Sequence, residues 1–178
     1  MTLPAEYADL LEVRGARSQW FPPVLSDLAR LLELVEEVRP LSILEHGTGW
    51  STVILWHWAK KNGAVVESLE NDPLFYIAAK NGLDRPDADR RVLFSPVQNT
   101  DRLGVLCWSY QTLYAPEFIY VDGPALPANH VALPFCDTRK LKLMVFDGRE
   151  ANARCVASGS GLVLDDSEAP DRFMLRRK

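Results

Sequence analysis

Residues 41–52 combine a carboxylate and two closely spaced glycines in a pattern typical of a ligand-binding turn. An apolar run ends in Glu45, and Gly47 and Gly49 follow with one residue between them. Glycines at this spacing permit a tight turn from a strand into a helix, where backbone amides can approach a ligand closely. The segment therefore predicts a site for a nucleotide-like molecule at the start of a helix.

Further acids follow the later apolar segments. Glu70 ends the second such segment, 21 residues after Gly49, and Asp122 and Asp147 follow two more. The carboxyl ends of parallel strands meet at one edge of a sheet, so we expect these acids to lie near the glycine turn. An acid after the second strand is suited to accept hydrogen bonds from ribose hydroxyls. Each acid also has a structural alternative, as a turn residue or at a helix start.

The turn differs from a dinucleotide-binding turn in two ways. The third glycine of G-x-G-x-x-G is replaced by Thr52, and Glu45 precedes the glycines. A carboxylate there favours a ligand with an ammonium or sulfonium group and repels a pyrophosphate. A nicotinamide-dependent reductase is therefore the less favoured alternative.

The elements that must position these residues alternate along the chain. Apolar runs predict strands at 41–46, 64–70, 92–97, 118–121, 141–146, 162–164 and 173–175. Helical patterns predict helices from the N-cap Ser26 to Pro40, and at 51–62, 73–80 and 150–156, with a further helix within 98–116. This order predicts an α/β fold, a three-layer α/β/α sandwich around a mostly parallel, doubly wound sheet of six or seven strands. We expect one domain over 26–178, preceded by a lead-in of helix and loop over 1–25.

Composition limits the classes of partner. The chain has 178 residues, a net charge of -4 and a pI near 5.4, which argues against nucleic acid and against anionic membrane surfaces. Its three cysteines are widely spaced, without a metal-type pair, and this suits a reducing compartment. We find neither a signal-peptide pattern nor an apolar run long enough to span a membrane. The expected location is the cytoplasm.

Three motifs, in this order, resemble those of class I S-adenosylmethionine-dependent methyltransferases. They are E-x-G-x-G at 45–49, the acid Glu70 within Leu-Glu-Asn-Asp-Pro, and Val-Asp-Gly-Pro at 121–124. The longer stretches around them are similar to a group of poorly characterised bacterial members. The resemblance spans residues 26–175 and implies a Rossmann-like fold with S-adenosyl-L-methionine as the cofactor.

The resemblance also implies a role for each matched residue. Glu45 would hold the methionine end of the cofactor, Glu70 the ribose hydroxyls, and Asp122 would face the transferable methyl group and the acceptor. Asn71, Val97 and Gln98 would lie near the adenine. The remaining implied cofactor contacts come from the glycine turn and the helix start: Gly47, Thr48, Gly49, Trp50, Ser51 and Thr52.

Methyl transfer is a displacement on a sulfonium carbon, so the protein mainly positions two reactants and excludes water. A base helps an oxygen or nitrogen acceptor, and Asp122, Asp147 and His46 are the candidates. In catechol-type O-methyltransferases comparable strand-end acids bind a divalent metal, with Asn152 nearby in this sequence. Gly-Pro and Gly-Arg follow the two acids here, so we predict no metal.

The sequence thus predicts a methyltransferase acting on a small-molecule or saccharide-like acceptor. The alternative is a diverged, non-catalytic domain that binds S-adenosylmethionine, S-adenosylhomocysteine or a protein partner. Compact members of the family often complete the acceptor pocket with a second subunit, so the resemblance also admits a homodimer.

Overall fold

The computed structural model describes residues 2–15, 23–83, 91–100, 105–108, 115–123, 132–133 and 137–177; within 13–15, 97–100, 105–108 and 132–133 the description covers the backbone alone. These residues form five helices: α1 (Ala5–Gly15), α2 (Leu25–Val38), α3 (Trp50–Asn62), α4 (Pro73–Gly82) and α5 (Glu150–Ser160). They also form ten strands: β1 (Ser42–His46), β2 (Val65–Glu70), β3 (Val92–Phe94), β4 (Val97–Thr100), β5 (Val105–Trp108), β6 (Phe118–Val121), β7 (Ala132–Leu133), β8 (Leu143–Asp147), β9 (Val163–Asp165) and β10 (Arg172–Arg176).

Seven strands build the central sheet, in the order β3-β2-β1-β6-β8-β10-β9. The first five are parallel, whereas β10 runs antiparallel to both of its neighbours. The order reverses between β1 and β6, which is where open α/β sheets bind ligands at the carboxyl ends of their strands. The predicted α/β fold with a mostly parallel, doubly wound sheet is confirmed.

Helices cover both faces of this sheet. On one face α2 and α3 bury apolar side chains such as Leu31, Leu34, Ile54 and Trp58 against the sheet. On the other face α5 buries Ala153 in a second apolar cluster. Helix α1 packs on α3, and Tyr7 and Leu11 join the first cluster. Within the described residues, no helix has the length and apolarity needed to cross a membrane.

Two local predictions were wrong. Helix α2 begins at Leu25, with Val24 in the cap position, so Ser26 lies in the first turn and does not cap the helix. The strand expected over 92–97 ends at Phe94. After Ser95 and Pro96 the chain enters β4, which belongs to a second sheet of order β4-β5-β7. Proline has no amide hydrogen for a strand ladder, which is consistent with the break.

The helix expected within 98–116 is also contradicted where the backbone is described. Residues 97–100 and 105–108 form β4 and β5, which pair antiparallel. Residues 101–104 and 109–114 lie outside the described part of the chain.

Candidate active site

A cavity of about 340 Å³ opens at the carboxyl ends of the central strands. This volume lies within the range of small-molecule sites. Its walls come from the start of α2, the glycine turn with the first turn of α3, helix α4, and the ends of β6 and β8. The lining residues include Asp27, Leu28, Thr48, Gly49, Trp50, Ser51, Thr52, Val53, Phe75, Ala78, Tyr120, Asp122 and Asp147.

Two glycines hold the loops after β1 and β6 in close contact. Gly47 has a φ of +89°, and a Cβ atom on it would lie 2.4 Å from the amide nitrogen of Gly123. A Cβ atom on Gly123 would lie 2.5 Å from the Cα atom of Gly47. The carbonyl oxygen of His46 accepts hydrogen bonds from the amides of Asp122 and Gly123, at 2.9 and 2.7 Å. Only glycine fits at both positions, and the contact fixes Asp122 beside the turn.

The Glu70 carboxylate joins the glycine turn to the loop after β2. One of its oxygens, Oε2, accepts hydrogen bonds from the amide and the hydroxyl of Thr48, at 2.6 and 2.7 Å. The other, Oε1, accepts from the amides of Asn71 and Asp72, at 2.7 and 2.8 Å. Glu70 is buried, with 4% of its surface exposed. Two motifs 22 residues apart therefore meet in one hydrogen-bonded group.

The start of α3 forms one wall of the cavity. The hydroxyl of Thr52 accepts a hydrogen bond from the amide of Gly49 at 2.9 Å, which fixes the turn to the helix. The first turn of α3 carries no acidic residue. The partial positive charge of a helix N-terminus therefore faces this end of the cavity, where it favours an anionic group such as a carboxylate.

Glu45 lies behind the turn, fully buried between β1, β2 and α3. Its carboxylate accepts hydrogen bonds from Ser51 at 2.7 Å and from Ser68 at 2.5 Å, and Trp56 donates to Ser68 at 3.1 Å. Burial raises the pKa of Glu45 to about 8, although the serine hydrogen bonds oppose this rise. The side chain is not among the cavity-lining residues. It supports the turn through Ser51 from inside the protein.

His46 is also fully buried and does not line the cavity. It follows Glu45 in β1, so strand alternation directs its side chain to the opposite face of the sheet, the face of Leu44. Burial lowers its pKa to about 3, so the ring is neutral at physiological pH. The structure does not bring His46 to a position from which it could take a proton from an acceptor.

Asp122 and Asp147 lie together at the cavity, at the ends of neighbouring strands. Asp122 is exposed to the cavity while protein surrounds its other sides; burial, and then the nearby Asp147, raise its pKa to about 6. Burial also raises the pKa of Asp147, which accepts a hydrogen bond of 2.6 Å from the hydroxyl of Tyr120. Arg149 donates from Nε and Nη2 to the carbonyl oxygen of Asp122, the Nε bond at 2.8 Å. The pair can accept protons or hydrogen bonds from a bound molecule.

A further acid, Asp27, reaches the cavity from α2. The buried Arg172 of β10 holds it through an ion pair of 2.8 Å and lies 3.6 Å from Glu168. Asp27 therefore has a fixed position on the wall facing the strand ends.

The structure gathers most of the predicted site residues around one cavity. Thr48, Gly49, Trp50, Ser51, Thr52, Asp122 and Asp147 line it, and Gly47 supports it. Asn71 is half-buried next to Glu70 and offers its amide to that carboxylate. Val97 and Gln98 belong to β4, and their side chains lie outside the described part of the chain.

Sequence reasoning missed Ser68, Tyr120 and Asp27 as site residues. Ser68 is the partner of Glu45 across the β1–β2 pair, and a serine inside an apolar strand was the available signal. Tyr120 lies two residues before Asp122, in an apolar strand whose pattern predicts only core residues. Asp27 had no signal, because only the packing of α2 brings it to the cavity.

Among the described residues, no group of three or more His, Cys, Asp or Glu side chains is arranged to hold a metal ion. Asn152, considered above with the strand-end acids, is buried in α5.

No protein-family model matches the chain, and no curated protein sequence matches it significantly. Solved structures do match. An S-adenosylhomocysteine-bound methyltransferase from Podospora anserina has a TM-score of 0.62 at 13% identity, over 100% of this chain and 90% of its own. An O-methyltransferase from Bacillus cereus in complex with S-adenosylhomocysteine has a TM-score of 0.54 at 15% identity. The match covers 98% of this chain and 91% of that protein.

A third similar structure is the O-methyltransferase TomG from Streptomyces achromogenes, involved in tomaymycin synthesis and solved with S-adenosylmethionine. Its TM-score is 0.54 at 13% identity, over 99% of this chain and 91% of its own. At such identities the comparisons establish a shared fold across nearly the whole chain.

Proposed function

We propose that this chain, which has the fold of class I S-adenosylmethionine-dependent methyltransferases, binds S-adenosyl-L-methionine in the cavity and transfers its methyl group to a small molecule. The observation that carries the proposal is the meeting of the glycine turn with Glu70. The close packing of Gly47 on Gly123 fixes the turn beside the strand ends, and Glu70, the acid suited to a ribose, accepts a hydrogen bond from that turn.

The residues present fit the charged and polar parts of the cofactor. The start of α3 offers partial positive charge to a carboxylate, and it carries no acid that would oppose binding. Glu70 accepts hydrogen bonds from Thr48, which lines the cavity, and is the acid that we assign to the sugar hydroxyls. Glu45 contributes by holding Ser51, and hence the start of α3, instead of contacting the ligand directly.

S-adenosylmethionine supplies an activated methyl group, so the chain's task is to align an acceptor and to remove its proton. Asp122 is the favoured base, because a group with a pKa of about 6 is mostly ionised at neutral pH and still binds a proton readily. Asp147 is the second candidate, held by Tyr120. His46 is left out, because its ring is buried away from the cavity.

The walls also suggest the kind of acceptor. Asp27, Asp122 and Asp147 offer carboxylate oxygens along the cavity, which suit hydrogen bonds from the hydroxyl groups of a polyol or saccharide-like molecule. Two of the similar structures are O-methyltransferases, which supports oxygen as the acceptor atom. We infer O-methylation of a small hydroxyl-bearing compound.

The net charge of -4 supports a protein that works on small molecules and not on nucleic acid, and we propose that it does so in the cytoplasm. We also propose a homodimer, which light scattering on the purified chain would test. A single monomeric species across micromolar concentrations would contradict it.

Calorimetry with S-adenosylmethionine and S-adenosylhomocysteine tests the function. We expect saturable binding of both, and transfer of a labelled methyl group to a member of a panel of phenols, polyols and saccharides. Absence of binding up to millimolar ligand would refute the proposal. Binding without transfer to any panel member would favour the non-catalytic alternative.

A further inference from the structure

The carboxylate of Glu70 has no remaining acceptor capacity. A carboxylate offers about four lone-pair sites on its two oxygens. Four donors occupy them here, at 2.6 to 2.8 Å: the amide and hydroxyl of Thr48, and the amides of Asn71 and Asp72. A ribose hydroxyl can bond to Glu70 only if one of these donors leaves.

The four donors differ in how easily they can leave. Three are backbone amides, held by the turn after β1 and by the start of α4, where Asp72 caps the helix. The fourth is the hydroxyl of Thr48, which can leave when the side chain turns about one single bond to another staggered rotamer. Thr48 also lines the cavity. Its hydroxyl is therefore the donor that a ligand can displace without moving the backbone.

We propose that the Thr48 hydroxyl occupies, in the ligand-free protein, the Glu70 acceptor position that a sugar hydroxyl of the ligand takes on binding. This inference rests on the proposed function, and it assigns Thr48 a role in setting affinity for ligands that carry a sugar diol. Thr48 weakens binding, because the ligand must exchange one hydrogen bond for another. The displaced hydroxyl turns away from Glu70 as the sugar bonds to it.

Substitution of Thr48 tests the exchange. Thr48→Val keeps the shape and the backbone amide but removes the hydroxyl, which leaves an acceptor site of Glu70 open. We expect it to bind S-adenosylhomocysteine roughly 2- to 10-fold more tightly than the unsubstituted chain, the range for one net hydrogen bond. Its ligand-free melting temperature should be lower. Thr48→Ser keeps the hydroxyl and is the matched control, with affinity close to that of the unsubstituted chain.

A ligand without the diol isolates the mechanism from general effects on packing. Thr48→Val should bind the 2′,3′-dideoxy analogue of S-adenosylhomocysteine no more tightly than the unsubstituted chain does. Thr48→Ala provides a second variant without the hydroxyl, should valine disturb the turn. All affinities are measured by calorimetry on the full chain.

The outcomes separate this inference from the proposed function. If the unsubstituted chain binds S-adenosylhomocysteine and neither Thr48→Val nor Thr48→Ala binds it more tightly, the exchange is refuted and the proposed function stands. The exchange is also refuted if Thr48→Val gains as much affinity for the dideoxy analogue as for S-adenosylhomocysteine. If the unsubstituted chain and all variants fail to bind, the proposed function is refuted, and the exchange with it.

Discussion

Replacing Glu45 with glutamine separates the effect of a buried charge from the effect of the hydrogen bonds around it. Burial raises the pKa of Glu45 from its usual 4.5 to about 8, so the folded protein holds this proton more tightly than the unfolded chain. The contribution of Glu45 to the free energy of unfolding is therefore fully present below pH 4.5 and is lost as the pH rises from 4.5 to about 8. Each pH unit in this interval corresponds to about 1.36 kcal/mol.

The free energy of unfolding is lower by about 3 kcal/mol at pH 7 and by ~5 kcal/mol above pH 8 than at pH 4.5, through this group alone. Glutamine does not titrate, and its amide can still bond to Ser51 and Ser68. We expect Glu45→Gln to match the unsubstituted chain near pH 4.5 and to exceed its stability increasingly at higher pH. His46 has the opposite effect, because burial lowers its pKa to about 3 and stability is lost as the pH falls below 6.5. The effect of His46 is the same in both proteins, so it cancels when their free energies of unfolding are compared.

Urea unfolding followed by tryptophan fluorescence, from pH 5 to 8.5, measures the difference. Glu12→Gln on the exposed side of α1 removes the same formal charge from a solvent-exposed position and serves as the control. If the free energies of unfolding of Glu45→Gln and the unsubstituted chain differ by a constant amount across this range, the reasoning is refuted. A constant difference would mean that Glu45 titrates alike in the folded and unfolded states.

Three further substitutions test the geometry of the site. Gly123→Ala should destabilise the fold by about 1–3 kcal/mol and abolish S-adenosylhomocysteine binding, because the new Cβ would lie 2.5 Å from a backbone atom. Gly159→Ala in α5 is the control and should be tolerated, because no atom lies within 4 Å of the Cβ position there. Tyr120→Phe removes the hydrogen bond to Asp147 and should raise the pKa of that carboxyl group further; an unchanged carbon NMR titration would count against this contact. Asp122→Asn should lower methyl transfer far more than cofactor affinity, and equal losses in the two assays would remove it as the acceptor base.

The sheet and its helices were predictable because their apolar patterns are local. β1, β2 and β6 contain short apolar segments, and an acid ends β2 and directly follows β6. Helix α2 buries leucines at helical spacing and ends at Val38, shortly before Pro40. The stretch after Phe94 was not predictable in this way. Alternation cannot decide which sheet a strand joins, so the start of a second sheet at β4 had no local signal.

The site was predictable to the extent that its residues follow strands. Strand ends in a parallel sheet share an edge, which correctly placed Asp122 and Asp147 at one cavity. The direction of a side chain depends on strand pairing, and so the sequence could not show that His46 turns into the core. It also could not show that Glu45 is bonded internally to Ser68, since that contact requires the register of β1 against β2.

The most direct test of the central claim is a crystal structure of the chain with S-adenosylhomocysteine. We predict the ligand in the cavity, with its ribose hydroxyls within hydrogen-bond distance of Glu70, its carboxylate at the start of α3, and its sulfur facing Asp122. A ligand bound elsewhere, or a cavity that stays empty in crystals grown with millimolar ligand, would contradict the assignment of this cleft as a methyltransferase site.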